Sequence, residues 1–234
     1  MLNPALFSLT RSMDYRLAEA CRHGYIDSVK RFIDAGGDVN TREKDGRTPL
    51  HVACHYGQSD VVRALIRAEA HLEATNCLGQ TPLHEACQAG RSHVVRVLIA
   101  FGANLNATDA NQWTPLYTSF VNHHVYIGRM LTDAGADPNI ANNDGTTVLY
   151  MACVVYNTEM VKILIAAKAD VNKPVRYGPS PLYMACCHRR VDIPRHLIAA
   201  GAESFHEANT EIESAAQKQL SSLVLLMDSR PCVV

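Results

Sequence analysis

Two short runs bring metal-binding or thiol-reactive side chains close together. His51-Val52-Ala53-Cys54-His55 sets two histidines at i and i+4 with a cysteine between them, a helical spacing that suits a zinc ion. Cys186-Cys187-His188 has the residue types of a thiol nucleophile and its base. Neither carries through as chemistry. The histidine pair has no acidic residue where a zinc peptidase needs its general base, and adjacent residues on a helix point apart, so the Cys-Cys-His triplet does not converge. No Ser/His/Asp set stands out, and no glycine-rich phosphate loop follows a strand. The chain is therefore expected to be no enzyme, with no catalytic residue, no metal site and no cofactor.

What positions these residues is a recurring phrase. Thr48-Pro49-Leu50-His51-Val52-Ala53 is echoed by Thr81-Pro82-Leu83-His84-Glu85-Ala86, Thr114-Pro115-Leu116-Tyr117, Thr147-Val148-Leu149-Tyr150-Met151-Ala152 and Ser180-Pro181-Leu182-Tyr183-Met184-Ala185. The phrases begin at 48, 81, 114, 147 and 180, a constant step of 33. Thr or Ser caps a helix by accepting from an orphan N–H, and proline follows where its missing N–H costs nothing. Leu50, Ala53 and Cys54 fall at i, i+3 and i+4 and form one buried stripe. Val52, His55 and Tyr56 share that spacing on the opposite side. His51 and His84 belong to the phrase, and Tyr117, Tyr150 and Tyr183 replace them in structural roles. The phrase and its period resemble the ankyrin repeat, and the resemblance runs over roughly residues 14 to 212. It implies an all-α repeat solenoid, an array of about six helix-pair units with hairpin-like fingers.

The divisions that follow are 1–13, an N-terminal extension; 14–212, six repeats (14–47, 48–80, 81–113, 114–146, 147–179 and 180–212); and 213–234, a degenerate cap and tail. Pro4 to Arg11 either frays or packs as a small lid. Tyr15 to Cys21 keeps the Leu, Ala and Cys of the phrase without its opening, as a terminal repeat does. In the cap, Ala215-Ala216 and Leu223 to Met227 are expected to cover the last apolar face.

Several departures from the repeat are informative. His123, Tyr156 and Arg189 stand where earlier units end helix one with Gly57 and Gly90, and Glu69 and Lys168 replace the glycine after helix two; those turns are expected to be less well formed. Phe120 replaces the core cysteine while Gly128 stands where Val95 and Val161 do, a local volume swap. Pro194 is tolerable only if its helix starts near Asp192.

Composition narrows the function. The 22 basic and 23 acidic residues leave a net charge of −1, and the basic residues form no run, so nucleic acid is not expected as a partner. Met1 to Thr10 has neither the basic start nor the apolar core of a signal peptide. No apolar stretch is long enough to span a bilayer, so no membrane insertion is expected. Of the eight cysteines, Cys21, Cys54, Cys87, Cys153 and Cys186 fall in the buried register. Neighbouring helices of a stack lie about 8–10 Å apart, beyond disulfide reach. Reduced thiols place the chain inside the cell, in the cytoplasm with the nucleus also open to it. Cys77, Cys187 and Cys232 lie outside that register, and the Cys-Val-Val end is not a prenylation box.

The ankyrin resemblance implies a protein-interaction scaffold, a monomer that binds a protein partner in the concave groove of the array. The alternative, also from the resemblance, is a substrate-recruiting subunit of a ubiquitin-ligase-type complex, although Ser221 to Val234 does not look like a ligase-recruiting box. The groove-facing positions of helix one turn apolar toward the C-terminal half, and methionines suit an adaptable surface. The expected protein-binding residues are Trp113 at the finger tip, Val121, Met151, Val154, Val155, Met184, Cys187 and His188. Finger asparagines of such repeats can be hydroxylated by an iron-dependent enzyme that prefers leucine eight residues upstream. Asn106, Asn139 and Asn172 have Leu98, Leu131 and Leu164 there. The alternative is an asparagine that hydrogen-bonds its own hairpin.

Overall fold

The computed structural model describes residues 16–176, 178–187 and 190–203. Expectations for residues 1–15, Tyr177, His188, Arg189 and 204–234 lie outside the described residues, among them the N-terminal lid, the Leu223 to Met227 cap and Cys232. The chain divides into two compact units, one ending at Ala136 and the other beginning at Asp137.

Among its described residues unit one holds eight helices. They are α1 (16–23), α2 (Ile26–Asp34), α3 (Pro49–Tyr56), α4 (Ser59–Arg67), α5 (Pro82–Gln88), α6 (Ser92–Ala100), α7 (Pro115–Val121) and α8 (Val125–Asp133). Unit two holds α9 (Val148–Val154), α10 (Thr158–Ala166), α11 (Pro181–Cys186) and α12 (Asp192–Ala199). No strand occurs among the described residues. Odd-numbered helices are the first of each repeat and even-numbered ones the second. The all-α repeat array read from the 33-residue period is present.

The core is the phrase repeated. Leu17, Leu50, Leu83, Leu116, Leu149 and Leu182 are each no more than 2 % exposed, and burying one such side chain stabilises by roughly 2 kcal/mol. Cys21, Cys54, Cys87, Cys153 and Cys186 lie in the same stripe, buried and unbridged. Phe120 fills the missing cysteine's place, and a Cβ on Gly128 would strike its ring, which is the expected volume swap. The helix carrying Pro194 begins at Asp192, so the proline sits in the first turn, where its missing N–H does no harm.

The turn expectation is corrected. Glu69, Lys168, His123 and Tyr156 adopt φ of 63°, 63°, 62° and 51°, the left-handed conformation that glycine holds in other repeats. The turns they make are fully formed. Ala70 N–H donates to Leu65 O at 3.0 Å and Ala169 N–H to Leu164 O at 2.9 Å, matching Ala103 to Leu98 at 3.0 Å. Stacking against neighbouring repeats prescribes the backbone, and the side chain bears the steric strain of about 1–2 kcal/mol.

The finger asparagines are also corrected. Asn139 accepts from Asp170 N–H at 2.7 Å and donates to Lys168 O at 3.4 Å, and Asn172 holds Glu203 N–H and Gly201 O likewise. Asn40 does the same with His71 N–H and Glu69 O. Each amide thus bridges to the turn after the next repeat's second helix, not within its own hairpin. Glu73 occupies this column between Asn40 and Asn106, and its carboxylate accepts from Asn104 N–H at 2.8 Å.

Candidate protein-interaction surface

The phrase histidines are structural. His51 Nδ1 accepts from Thr48 N–H at 3.1 Å, and Nε2 donates to Gln80 O at 2.9 Å in the next repeat. His84 repeats this with Thr81 N–H and Trp113 O. Both rings are wholly buried. Burial pushes both imidazoles below their ordinary pKa of 6.5, so they stay neutral. With both ring nitrogens of His51 engaged and Cys54 buried, the His51-Cys54-His55 run does not assemble as a metal site. Among the described residues no group of three or more His, Cys, Asp or Glu is placed to hold a metal ion. Where tyrosine replaces histidine the cap becomes simpler: Thr114, Thr147 and Ser180 each accept from the tyrosine N–H at 3.2 Å.

The thiols in the stripe are equally unreactive. Burial raises Cys21 and Cys153 from 9.0 to about 12 and Cys186 to about 11, and it pushes Cys54 and Cys87 well above 9.0 too. They remain protonated. Cys77 and Cys187 are the exposed thiols among the described residues.

The side of helix one opposite the core stripe is less open than its spacing predicts. Val52, Glu85 and Thr118 lie in one column of the repeat and are 2 %, 0 % and 3 % exposed. At Glu85 finger residues of unit one close over the column with charge. Arg47 Nε lies 2.8 Å from Glu85 Oε1 and Nη2 3.3 Å from Oε2. His55 Nδ1 lies 3.0 Å from Oε2, and Asn76 donates to Oε1 at 3.2 Å. Two fingers and two helices thus converge on one desolvated carboxylate. The guanidinium fork and the added donors offset the burial of the charge. Nothing in the phrase marks this cluster; the one signal is that, after the terminal repeat's Glu19, Glu85 is the only charged member of the column Glu19, Val52, Glu85, Thr118, Met151 and Met184. Around it the surface is polar and aromatic, with Arg22 stacked 5.3 Å over the Tyr56 ring.

Trp113 and Val121 belong to unit one. Trp113 is not at the finger tip but at its foot, directly before the α7 cap, and is half-buried. Its backbone N–H donates to Asp109 Oδ1 at 2.9 Å, and its ring lies 4.8 Å from that of Tyr117. The tip is the turn at Gln112, left-handed at φ 61°. Val121 ends α7 and is 37 % exposed.

Unit two brings the remaining expected residues together. Met151 and Val154 are half-buried on α9, and Val155 at its C-cap is 52 % exposed. Helix α11 packs on α9 and adds the half-buried Met184 and the exposed Cys187 at its own C-cap. Tyr150 and Tyr183 stand half-buried beside them. His188 lies outside the described residues. The result is an apolar, sulfur-rich strip along two neighbouring first helices. No helix among the described residues is long and apolar enough to cross a membrane.

The chain matches the family model described as Ankyrin repeats (3 copies), at residues 17–109, 68–142 and 126–208. No curated protein matches the chain.

Proposed function

This chain belongs to the ankyrin-repeat family, whose arrays are generally protein–protein interaction modules, and we propose that it is a non-enzymatic scaffold that binds a protein partner. The observation that carries the proposal is the strip on α9 and α11: Val155 open to solvent, with Met151, Val154, Met184 and Cys187 around it. An apolar strip of this kind on a folded protein marks an interaction site, and methionine lets it fit more than one side-chain shape. The buried phrase histidines and protonated thiols support a structural, non-catalytic use of those residues. Unbridged cysteines support a reducing, intracellular setting.

The test compares crosslinked partners of the wild type with those of Val155→Glu and Met184→Glu, alone and together. Partners of the strip are lost from the variants, with binding weakened by about 2 kcal/mol or more, while the melting temperature of Val155→Glu stays near that of the wild type because Val155 is already exposed. Ubiquitin-ligase components among the Val155-dependent partners would make the chain a substrate-recruiting subunit. An unchanged partner set with both variants folded would remove the strip from the proposal.

A further inference from the structure

One position of the second helix carries a cation in every repeat: Lys30, Arg63, Arg96, Arg129, Lys162 and Arg195, each 33 residues after the last. Such residues form no run in the sequence, yet folding aligns them. Lys30, Arg63, Arg96 and Arg129 lie in unit one on α2, α4, α6 and α8, all exposed, and those helices pack in that order. Packed helices sit about 8–10 Å apart, so Arg63, Arg96 and Arg129 are rungs spread over roughly 20 Å.

The centre of this ladder lacks the acidic neighbours found at its start. Asp27 and Asp60 precede Lys30 and Arg63 by three residues, the spacing of a helical charge pair, whereas His93 and Tyr126 hold those places on α6 and α8. Arg67 adds another exposed cation on α4. Among the described residues no acidic side chain pairs with Arg63, Arg67 or Arg96. The Nη2 of Arg96 instead meets the hydroxyl of Tyr126 at 3.4 Å, and Tyr126 is 59 % exposed. Arginine and tyrosine are the residue types that dominate interface energetics.

The geometry points to this second-helix face as a docking site for an acidic segment of a protein partner, separate from the strip on α9 and α11. Charge complementarity selects the occupant. A polyproline-II peptide has three residues per turn and rises about 3.1 Å per residue, so acidic side chains at every third position share one face about 9 Å apart and meet successive rungs, and each guanidinium fork takes a carboxylate. Nucleic acid fits less well. Its phosphates repeat every ~3.4 Å of duplex axis on each strand, far denser than the rungs.

The test uses the full chain and a fluorescein-labelled peptide of repeated Glu-Gly-Ser triplets, followed by anisotropy at about 50 mM salt, where exposed charges are weakly screened. The wild type binds the peptide, and Arg63→Glu with Arg96→Glu weakens it about tenfold or more. Reversing two finger cations, Arg42→Glu with Lys44→Glu, changes the total charge equally and leaves binding within about twofold. Arg63→Gln with Arg96→Gln keeps helix propensity and removes only charge, so a loss of affinity in that pair supports the site even if the reversed pair folds poorly. Failure of the wild type to bind, an equal loss from the finger pair, or unchanged affinity in the glutamine pair would overturn the proposal. So would tighter binding of a thymidine oligonucleotide of matched charge, which would make the face a nucleic-acid site.

Discussion

Removing the carboxylate of Glu85 tests how the fingers of unit one are held to its helices. Glu85 is 0 % exposed and accepts from Arg47 at 2.8 and 3.3 Å, from His55 at 3.0 Å and from Asn76 at 3.2 Å. Breaking a buried ion pair costs about 3–5 kcal/mol when the remaining charge is left stranded. In Glu85→Ala it is not stranded: the Arg47 and His55 side chains are 32 % and 31 % exposed and regain water. Asn76 keeps its bond to Gln80 Oε1 at 3.2 Å. The expected loss is therefore about 2–3 kcal/mol. Arg47→Ala is the harsher change, because it leaves a carboxylate with no access to solvent, and should cost about 3–4 kcal/mol. The double variant should cost little more than Arg47→Ala alone, giving a coupling energy of about 2 kcal/mol. Urea unfolding followed by helical circular dichroism, with equal m-values across the set, measures all three. A loss under about 0.5 kcal/mol for Glu85→Ala, the level of an ordinary surface change, would refute the reasoning. So would an inverted order, with Glu85→Ala the worse of the two.

The remaining expectations concern backbone, pH and thiols. Glu69→Gly and Lys168→Gly relieve left-handed residues at φ 63° and should each stabilise by about 0.5–1 kcal/mol, the relief of strain less the entropy of glycine. Gly102→Ala, at φ 81° with open space around a new Cβ, should do the reverse by a similar amount, and thermal melts of the three variants check both signs. His51 and His84 bind fewer protons folded than unfolded, since burial lowers both pKa values below 6.5. Their contribution is complete above that value and is lost as pH falls from it toward the lowered folded values. Hydrogen exchange at pH 5 should thus show α3 to α6 opening more than at pH 7, with His51→Tyr and His84→Tyr reducing the difference; equal protection at both pH values would count against the latch. With a thiol reagent, Cys77 should react quickly in folded protein, Cys187 more slowly because partial burial pushes its thiol above 9.0, and the five buried cysteines only on unfolding. Rapid labelling of Cys54 or Cys87 would show that the core stripe opens.

Much of the architecture was legible without coordinates because a repeat states its own geometry. The 33-residue phase, the Thr-Pro cap and the Leu-Ala-Cys spacing are local facts about one helical turn, and each recurs often enough to remove ambiguity. The exchange of Phe120 against Gly128, and the start of α12 that Pro194 requires, could be inferred for the same reason: both compare one repeat with the next at a fixed position. The apolar drift of the first-helix series toward Met151, Val155 and Met184 could be read the same way.

What the tertiary structure decided lies between repeats. Helical periodicity tells which residues share a face but not what covers that face. Val52 and Thr118, leftover by spacing, are buried all the same, and Glu85 is held by Arg47 from 38 residues away. Backbone at Glu69 and Lys168 obeys the neighbours it must meet, against the local preference of its own side chains. Asn139 and Asn172 reach across to the following repeat, since there the turn after helix two leaves a carbonyl and an N–H facing them. Cations scattered at 33-residue intervals become a ladder only when α2, α4, α6 and α8 pack side by side. A linear pattern carries the geometry within each unit; distances between units come from packing, and burial, charge pairing and surface patches are all properties of those distances.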